Sequence, residues 1–374
     1  MIRQLTTILF TIISINAFAQ KQLDDYFIPS KINKATEIKN QAESGTCWSF
    51  AATSLIESSC INKDSTVEVS EMFTARNIYI EKAKNYILRQ GATQFSQGSQ
   101  AHDLLNSYRK YGAVPRSIYP GLQNGETFFN HDSLYNQLKK YLDSLIEHKP
   151  IPDNWLDHYI DLLDKKLGKA PVGDFWYRGK MYTALSYAEE YLKADPKDYI
   201  TITSFTHHLY YNSFVLESPY NWSNGLYYNV GLQTLLNITN SAIHHGYTVL
   251  WNGDVSNNHF MPYSGLALNL DDSLQYDNIN PDMKEIKWDE TERTRLYQNL
   301  TTTVDHVMHI IGTVRTKKGK TFYKVKNSWG EIGPSKGYLY MSEDYFAMNT
   351  VSITLLKVAL DYKYSFILHP MQIK

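Results

Sequence analysis

Gln41-Ala42-Glu43-Ser44-Gly45-Thr46-Cys47-Trp48-Ser49-Phe50-Ala51 is the stretch whose reading decides the fold. Ser44, Gly45 and Thr46 make a turn. Phe50, Ala51, Leu55 and Ile56 then recur near helical spacing through a run poor in breakers, so a helix is predicted to start at Cys47. A thiol at a helix N-terminus faces the positive end of the helix dipole, which favours the thiolate. Gln41, six residues earlier, can donate a side-chain amide hydrogen to an oxyanion formed beside that sulfur. A lone cysteine next to Trp and Phe is more often a core residue, so the reading of Cys47 as a nucleophile depends on finding its partners.

A nucleophilic thiol needs a histidine, and the histidine needs a group that orients it. Val304-Asp305-His306-Val307-Met308-His309-Ile310-Ile311-Gly312 reads as a strand. Lys317, Lys318 and Gly319 supply a turn, and Thr321-Phe322-Tyr323-Lys324-Val325-Lys326 alternates as a second strand, followed by Asn327-Ser328-Trp329-Gly330. An antiparallel hairpin about residues 317–319 brings His306 and Asn327 together at its open end. One imidazole nitrogen then faces the Asn327 carbonyl, the other faces Cys47, and Trp329 shields the His–Asn bond.

Gln-x-x-Ser-Gly-x-Cys-Trp-x-Phe-Ala, the His-x-Met strand and Asn-Ser-Trp-Gly together resemble the papain superfamily of cysteine peptidases. Gly98-Ser99-Gln100, leading into 101–111 and then Tyr111-Gly112-Ala113-Val114-Pro115, is similar to that family's glycine-rich substrate strand and following helix, with Gln97 in place of the first of two glycines. Carried over by position, the resemblance makes Cys47 the nucleophile, His306 the base, Asn327 its orienter, Gln41 the oxyanion donor and Trp329 the shield. It also makes Gly98 and Ser99 substrate-binding residues. Ser44 stands where papain has a disulfide cysteine. The Val-Asp-His-x-Met-His and Lys-Val-Lys-Asn-Ser-Trp-Gly strings, with Thr203-Ser204-Phe205-Thr206-His207-His208, look most like the bleomycin hydrolase and aminopeptidase C group.

The resemblance implies an α/β (α+β) papain-like fold of two lobes with a catalytic cleft between them. A helical lobe over about residues 40–121 carries Cys47, and a β-rich lobe over about 201–374 carries His306 and Asn327. Between them, residues 122–200 read as a helical insertion. Leu134, Leu138, Tyr141, Leu142, Leu145 and Ile146 fit one amphipathic helix ending near Pro150. Asp153 is placed to cap a second, with Trp155, Tyr159, Leu162, Leu163 and Leu167 on its face, and residues 183–193 form a third. No Gly-, Ser- or Pro-rich tract sets the insertion apart as a separate module.

At 374 residues, 43% apolar and 20% charged, the chain is long enough for a large core. A net charge of −1 gives no argument for nucleic acid or an acidic membrane surface. The 29 tyrosines, spread along the chain, read as packing rather than a stacking platform. Arg3, the apolar residues 5–15 and Ala17-Phe18-Ala19 have the pattern of a secretory signal over residues 1–19. This predicts export to the periplasm or the exterior and a peptidase domain over 20–374. No later run is long enough for a membrane span. The 22 residues from Gln20 to Gln41 are too few for a papain-type inhibitory propeptide.

Two cysteines in an exported chain suggest a disulfide. A helix from Cys47 to Cys60 holds them about 20 Å apart at about 1.5 Å per residue, against a reach of about 7 Å. Both are therefore expected to be free. His207-His208, His244-His245 and His306-x-x-His309 lack metal-ligand spacing, since His306 and His309 face opposite sides of a strand. No metal and no cofactor is expected. The predicted reaction is peptide hydrolysis through a thioester, and the resemblance favours aminopeptidase action, since that group blocks part of its cleft with its own C-terminal segment. Past a last expected strand over 351–358, residues 361–374 are apolar enough to dock in that way or, equally, to add a strand at a sheet edge. The alternatives are a papain-like endopeptidase and a catalytically silent binding protein on the same scaffold. Peptide is the expected partner, nucleic acid is not, and the resemblance allows an oligomer.

Overall fold

The computed structural model describes residues 23, 25–123, 125–273, 275–276 and 278–368. The export signal read at residues 1–19 and the last six residues of the tail lie outside them. A short strand, β1 (Phe27–Ile32), leads to α1 (Cys47–Cys60), α2 (Glu71–Leu88) and α3 (Ala101–Tyr111). In α1 nearly every side chain is buried, polar Ser49, Thr53, Ser54 and Glu57 included. A helix apolar or small all round belongs inside a protein, and α1 packs against α2 and α3 and, on another side, against the sheet. Ser70 caps α2 by accepting from the Phe73 N–H at 3.0 Å, and Gln100 with Asp103 forms a capping box at the start of α3.

The middle of the chain adds α4 (Asp132–Glu147) and α5 (Trp155–Leu167). Leu134, Leu138, Leu142 and Leu145 of α4, with Tyr159, Leu163 and Leu167 of α5, enter the same core as Trp48, Phe50 and Ile56 of α1. The cap expected at Asp153 is displaced: Asn154 precedes α5 and makes no side-chain capping bond. A hairpin that the sequence reading did not anticipate follows, β2 (Phe175–Tyr177) with β3 (Lys180–Tyr182). The third helical stretch is mostly a π-helix, Tyr187–Leu192, entered through a turn capped by Thr183 and left through Lys193 at φ 53°. Tyr187 and Tyr191 stack at 5.2 Å there and drive the segment into the helical core.

The remaining chain builds a large mixed sheet. Its strands are β4 (Tyr199–Thr203), β5 (Ser213–Val215), β6 (Leu226–Asn229), β7 (Val249–Gly253), β8 (Phe260–Met261), β9 (Leu266–Ala267), β10 (His306–Thr316), β11 (Thr321–Lys326), β12 (Tyr338–Ser342) and β13 (Thr350–Leu356). Their order is β5-β6-β4-β13-β7-β10-β11-β12-β9-β8. The first half of β10 pairs with β7, His306 opposite Gly253, and its second half with β1, Gly312 opposite Ile32. Gly312 is required there, because a Cβ would stand 2.5 Å from the Lys31 carbonyl oxygen. The predicted hairpin forms with β11, and Gly319 takes φ 87° at the turn. Strand alternation divides the sheet between two cores. Leu250 and Val307 face the helices, whereas Trp251 and Met308 pack with α6 (Leu232–His244) and α7 (Glu343–Asn349). The last expected strand, 351–358, is β13, and it lies in the middle of the sheet between β4 and β7.

A buried polar network joins α1 to the sheet behind the cleft. Glu57 accepts from Lys39 at 2.7 Å, from Thr36 at 2.6 Å and from the Val69 N–H at 2.9 Å, and Lys39 also meets Glu71 at 2.6 Å. Lys326 donates to Thr36 and to Ser54, whose hydroxyl also meets His309 Nδ1 at 2.9 Å. Burial works against the Lys39 charge, but Glu71 and Glu57 together hold its pKa above the usual value. Lys326 is pushed down to about 8 by burial.

Candidate active site

Cys47 is the first residue of α1, and its sulfur opens into a cleft of about 710 Å³ whose other walls include Gln41, Gly98, Tyr220, His306 and Trp329. The first hydrogen bonds of α1 run from Ser49 and Phe50 to the Thr46 carbonyl. The N–H groups of Cys47 and Trp48 thus precede the helical ladder and have no acceptor one turn back. Thr46 makes no side-chain cap, its hydroxyl being engaged with Ser44 at 2.6 Å. Those two N–H groups and that of Val307 point at the thiol and lower its pKa.

His306 opens β10, and its Nε2 lies 2.7 Å from Asn327 Oδ1. The Ser328 backbone N–H, which can only donate, meets the same oxygen at 2.7 Å. That oxygen is therefore an acceptor, and His306 carries its proton on Nε2. Nδ1 is left with its lone pair available to Cys47. The indole of Trp329 lies 4.6 Å from the His306 ring at 33°, with Phe260 edge-on behind it at 5.9 Å. The Asn327 amide nitrogen is buried without a partner.

Burial favours the uncharged form of each member of the pair. The Cys47 thiol is pushed up to about 11, and His306 is held down to about 4 against the raising effect of Asn327. The lowering expected from the helix start is present in the N–H groups on the sulfur, but desolvation outweighs it. Thiolate and imidazolium formed together would attract one another, which offsets part of the cost of charging each in a buried site.

Gln41 is fixed from both ends of its amide. Its Oε1 accepts from Ser328 Oγ at 2.6 Å, and its Nε2 donates to the Ser44 carbonyl at 2.7 Å. A primary amide has two N–H donors, so one remains for a group in the cleft. Gly98 and Ser99 also line the cleft, but the Ser99 hydroxyl is committed, donating to Asp103 at 2.6 Å and accepting from Trp222 at 2.8 Å. What Ser99 can offer a ligand is main chain. Cys47 and Cys60, the two ends of α1, are both free and buried.

Several residues around the site escaped the sequence reading. Gln97, read only as a replaced glycine, accepts from the Gly45 N–H at 2.7 Å and takes the Trp48 indole on its carbonyl at 3.1 Å. It ties the substrate strand to the turn before Cys47. Buried Lys82 donates to the carbonyls of Ser96 and Gly98. Ser328 was visible within Asn-Ser-Trp-Gly, and its spacing from Asn327 was the available signal. His207 and His208, set aside as ligands on spacing, converge on Glu217, which β5 brings back to them. Toward the C-terminus, residues Tyr362–Leu368 form a 3-10 helix rather than an added strand. Ile367 and Leu368 line a second pocket with Leu105 and Asn106.

The peptidase C1-like family matches residues 174–370, and the papain family of cysteine proteases matches residues 26–74. The chain is similar to aminopeptidase C of Streptococcus thermophilus, at 23% identity over 90% of this chain and 84% of the relative. It is equally similar, at 23%, to the mitochondrial cysteine proteinase 1 of Saccharomyces cerevisiae, over 87% of this chain and 76% of that one. Its fold is shared with the crystal structure of PepW from Lactobacillus rhamnosis, at a TM-score of 0.72 and 19% identity over 91% of this chain and 84% of the other. With over half its length matched, the chain belongs to the peptidase C1-like family and is a cysteine-type peptidase of papain-like fold.

Proposed function

We propose that Cys47, His306, Asn327 and Gln41 are the catalytic residues of an aminopeptidase. The hydrogen bond from His306 Nε2 to Asn327 carries the proposal, because it leaves Nδ1 as a base beside a cysteine at a helix start. His306 Nδ1 takes the thiol proton as the sulfur attacks the substrate carbonyl carbon. The oxyanion is held by the Cys47 N–H and the remaining Gln41 amide hydrogen. Collapse expels the amine, which takes the proton from His306 and leaves a thioester on Cys47. Water, deprotonated by His306, then releases the acid and restores the thiol.

Amine recognition is supported by the charge of the cleft. Among the described residues that line it, the carboxylates are Glu43, Asp132 and Asp305, and there is no lysine or arginine. Relatives from Streptococcus thermophilus and Lactococcus lactis are named aminopeptidase C. An endopeptidase reading is favoured by one observation: no described residue of the tail lines the cleft. Cleavage of one peptide with its N-terminus free and acetylated separates the two, and equal rates would establish an endopeptidase. Iodoacetamide should label Cys47 and abolish turnover, and a fully active Cys47→Ala protein would refute the mechanism. The same proposal has the enzyme exported after cleavage following Ala19, with residues 40–121, 122–200 and 201–374 as helical lobe, insertion and β-rich lobe. The support for export is the residue pattern of the N-terminus.

A further inference from the structure

We propose that His207, His208 and Glu217 form a binding site for a divalent transition metal of the zinc type, distinct from the cleft. The His208 Nε2 lies 2.7 Å from one Glu217 carboxylate oxygen and the His207 Nε2 lies 3.6 Å from the other. One ligand atom from each of the three residues falls within 4.8 Å of the others. Two imidazoles and a carboxylate are an ordinary donor set for zinc. Bonds of about 2.0–2.2 Å in a tetrahedral arrangement separate ligand atoms by about 3.4 Å. The two imidazoles face different oxygens of Glu217, and its side chain, 59% exposed, is free to turn and bring one oxygen to that spacing from both rings. Exposure on the carboxylate side leaves room for water as a fourth ligand.

Both rings are held in place by packing. They lie 4.5 Å apart, Phe214 stacks on His208 at 3.8 Å, and Phe205 lies 5.3 Å from His207. Adjacent residues present both nitrogens to one side because the chain turns at 206–208 instead of continuing β4.

The site lies at the base of a loop that walls the cleft. The Glu217 carbonyl accepts from the Tyr297 hydroxyl at 2.8 Å, and Asn221 closes the loop by donating to the Leu216 and Gly225 carbonyls. Tyr220 then stands against Gly98, and Trp222 donates to Ser99. A metal on Glu217 would fix the loop at its root, which makes the site structural rather than catalytic.

Zinc chloride titrated into the full chain against a chromophoric chelator tests this, in a Cys47→Ala background so that the catalytic thiol takes no metal. One zinc per chain is expected, with a rise in melting temperature. His208→Ala and Glu217→Gln should each weaken binding about tenfold or more and remove the melting shift, while His245→Ala changes neither. Glu217→Gln keeps the side chain's size, so it remains informative if His208→Ala folds poorly. Unchanged zinc affinity in both variants, or no zinc bound by the parent, would overturn the site.

Discussion

Replacing Asn327 by alanine removes an acceptor that serves two donors, the His306 Nε2–H and the Ser328 backbone N–H, each at 2.7 Å. The first bond strengthens when the imidazole becomes charged, and a hydrogen bond to a charged group contributes ~1.5–3 kcal/mol. At ~1.4 kcal/mol per factor of ten, kcat/KM should fall about 10- to 150-fold. The charge exists only once the thiol proton has moved, so the loss should appear in kcat with KM little changed. His306→Ala removes the base itself and should lose several further orders of magnitude. Asn327→Asp keeps the acceptor and adds a negative charge that favours imidazolium. It should raise the His306 pKa from its depressed value of about 4 and move the acid limb of the pH–rate profile upward. Steady-state kinetics on a fluorogenic aminoacyl amide over about pH 5 to 9 reads all three variants. Asn327→Ala as inactive as His306→Ala, or as active as the parent, would refute the orienting role, as would a downward shift in Asn327→Asp.

At Gly98 an added Cβ stands 2.7 Å from the Tyr220 ring, so Gly98→Ala should raise KM roughly tenfold with little loss of melting temperature; an unchanged KM would show that Tyr220 yields freely. Glu57→Ala leaves Lys39 with Glu71 as its one remaining carboxylate partner and removes a buried acceptor of Thr36 and the Val69 N–H, and should lower unfolding stability by about 1–3 kcal/mol in urea. His131 is buried against Tyr79 and held down to about 4 by burial. The unfolded chain binds that proton below about pH 6.5 and the folded chain does not. Stability should therefore be full above about pH 6.5 and fall by of order 3 kcal/mol as pH drops toward 4. His131→Asn should flatten that slope, and an unaltered slope would assign it elsewhere.

The elements around Cys47 and His306 were legible because their information is local. A breaker-free run after Ser44-Gly45-Thr46 specifies a helix start, and two alternating runs around Lys318-Gly319 specify a hairpin with its register. What failed to show depends on pairs distant in the chain. β13 reads as a strand, but nothing in residues 350–356 says that it inserts between β4 and β7. Glu57 near the end of a helix looks like a solvated carboxylate, and only Lys39 and Thr36 from the preceding loop make it a core residue. The His207–Glu217 convergence was hidden for the same reason, since it depends on how β5 turns back. In residues 183–193 the helix was visible, but its π-form follows from stacking Tyr187 on Tyr191, which a 3.6-residue period does not encode.

The pairing of β1 with β10 sets a timetable for the nascent chain. Cys47 and Gln41 leave the ribosome more than 250 residues ahead of His306 and Asn327. β10 is held on one edge by β7 and by the early strand β1, and β7 is held in turn by β13, the last strand of the sheet. Loop closures of such length are slow to form and cannot begin before both ends exist. Until β10 and β13 have both been made, the two halves of the proposed site stay apart. The order of synthesis itself thus withholds the proposed base from the thiol.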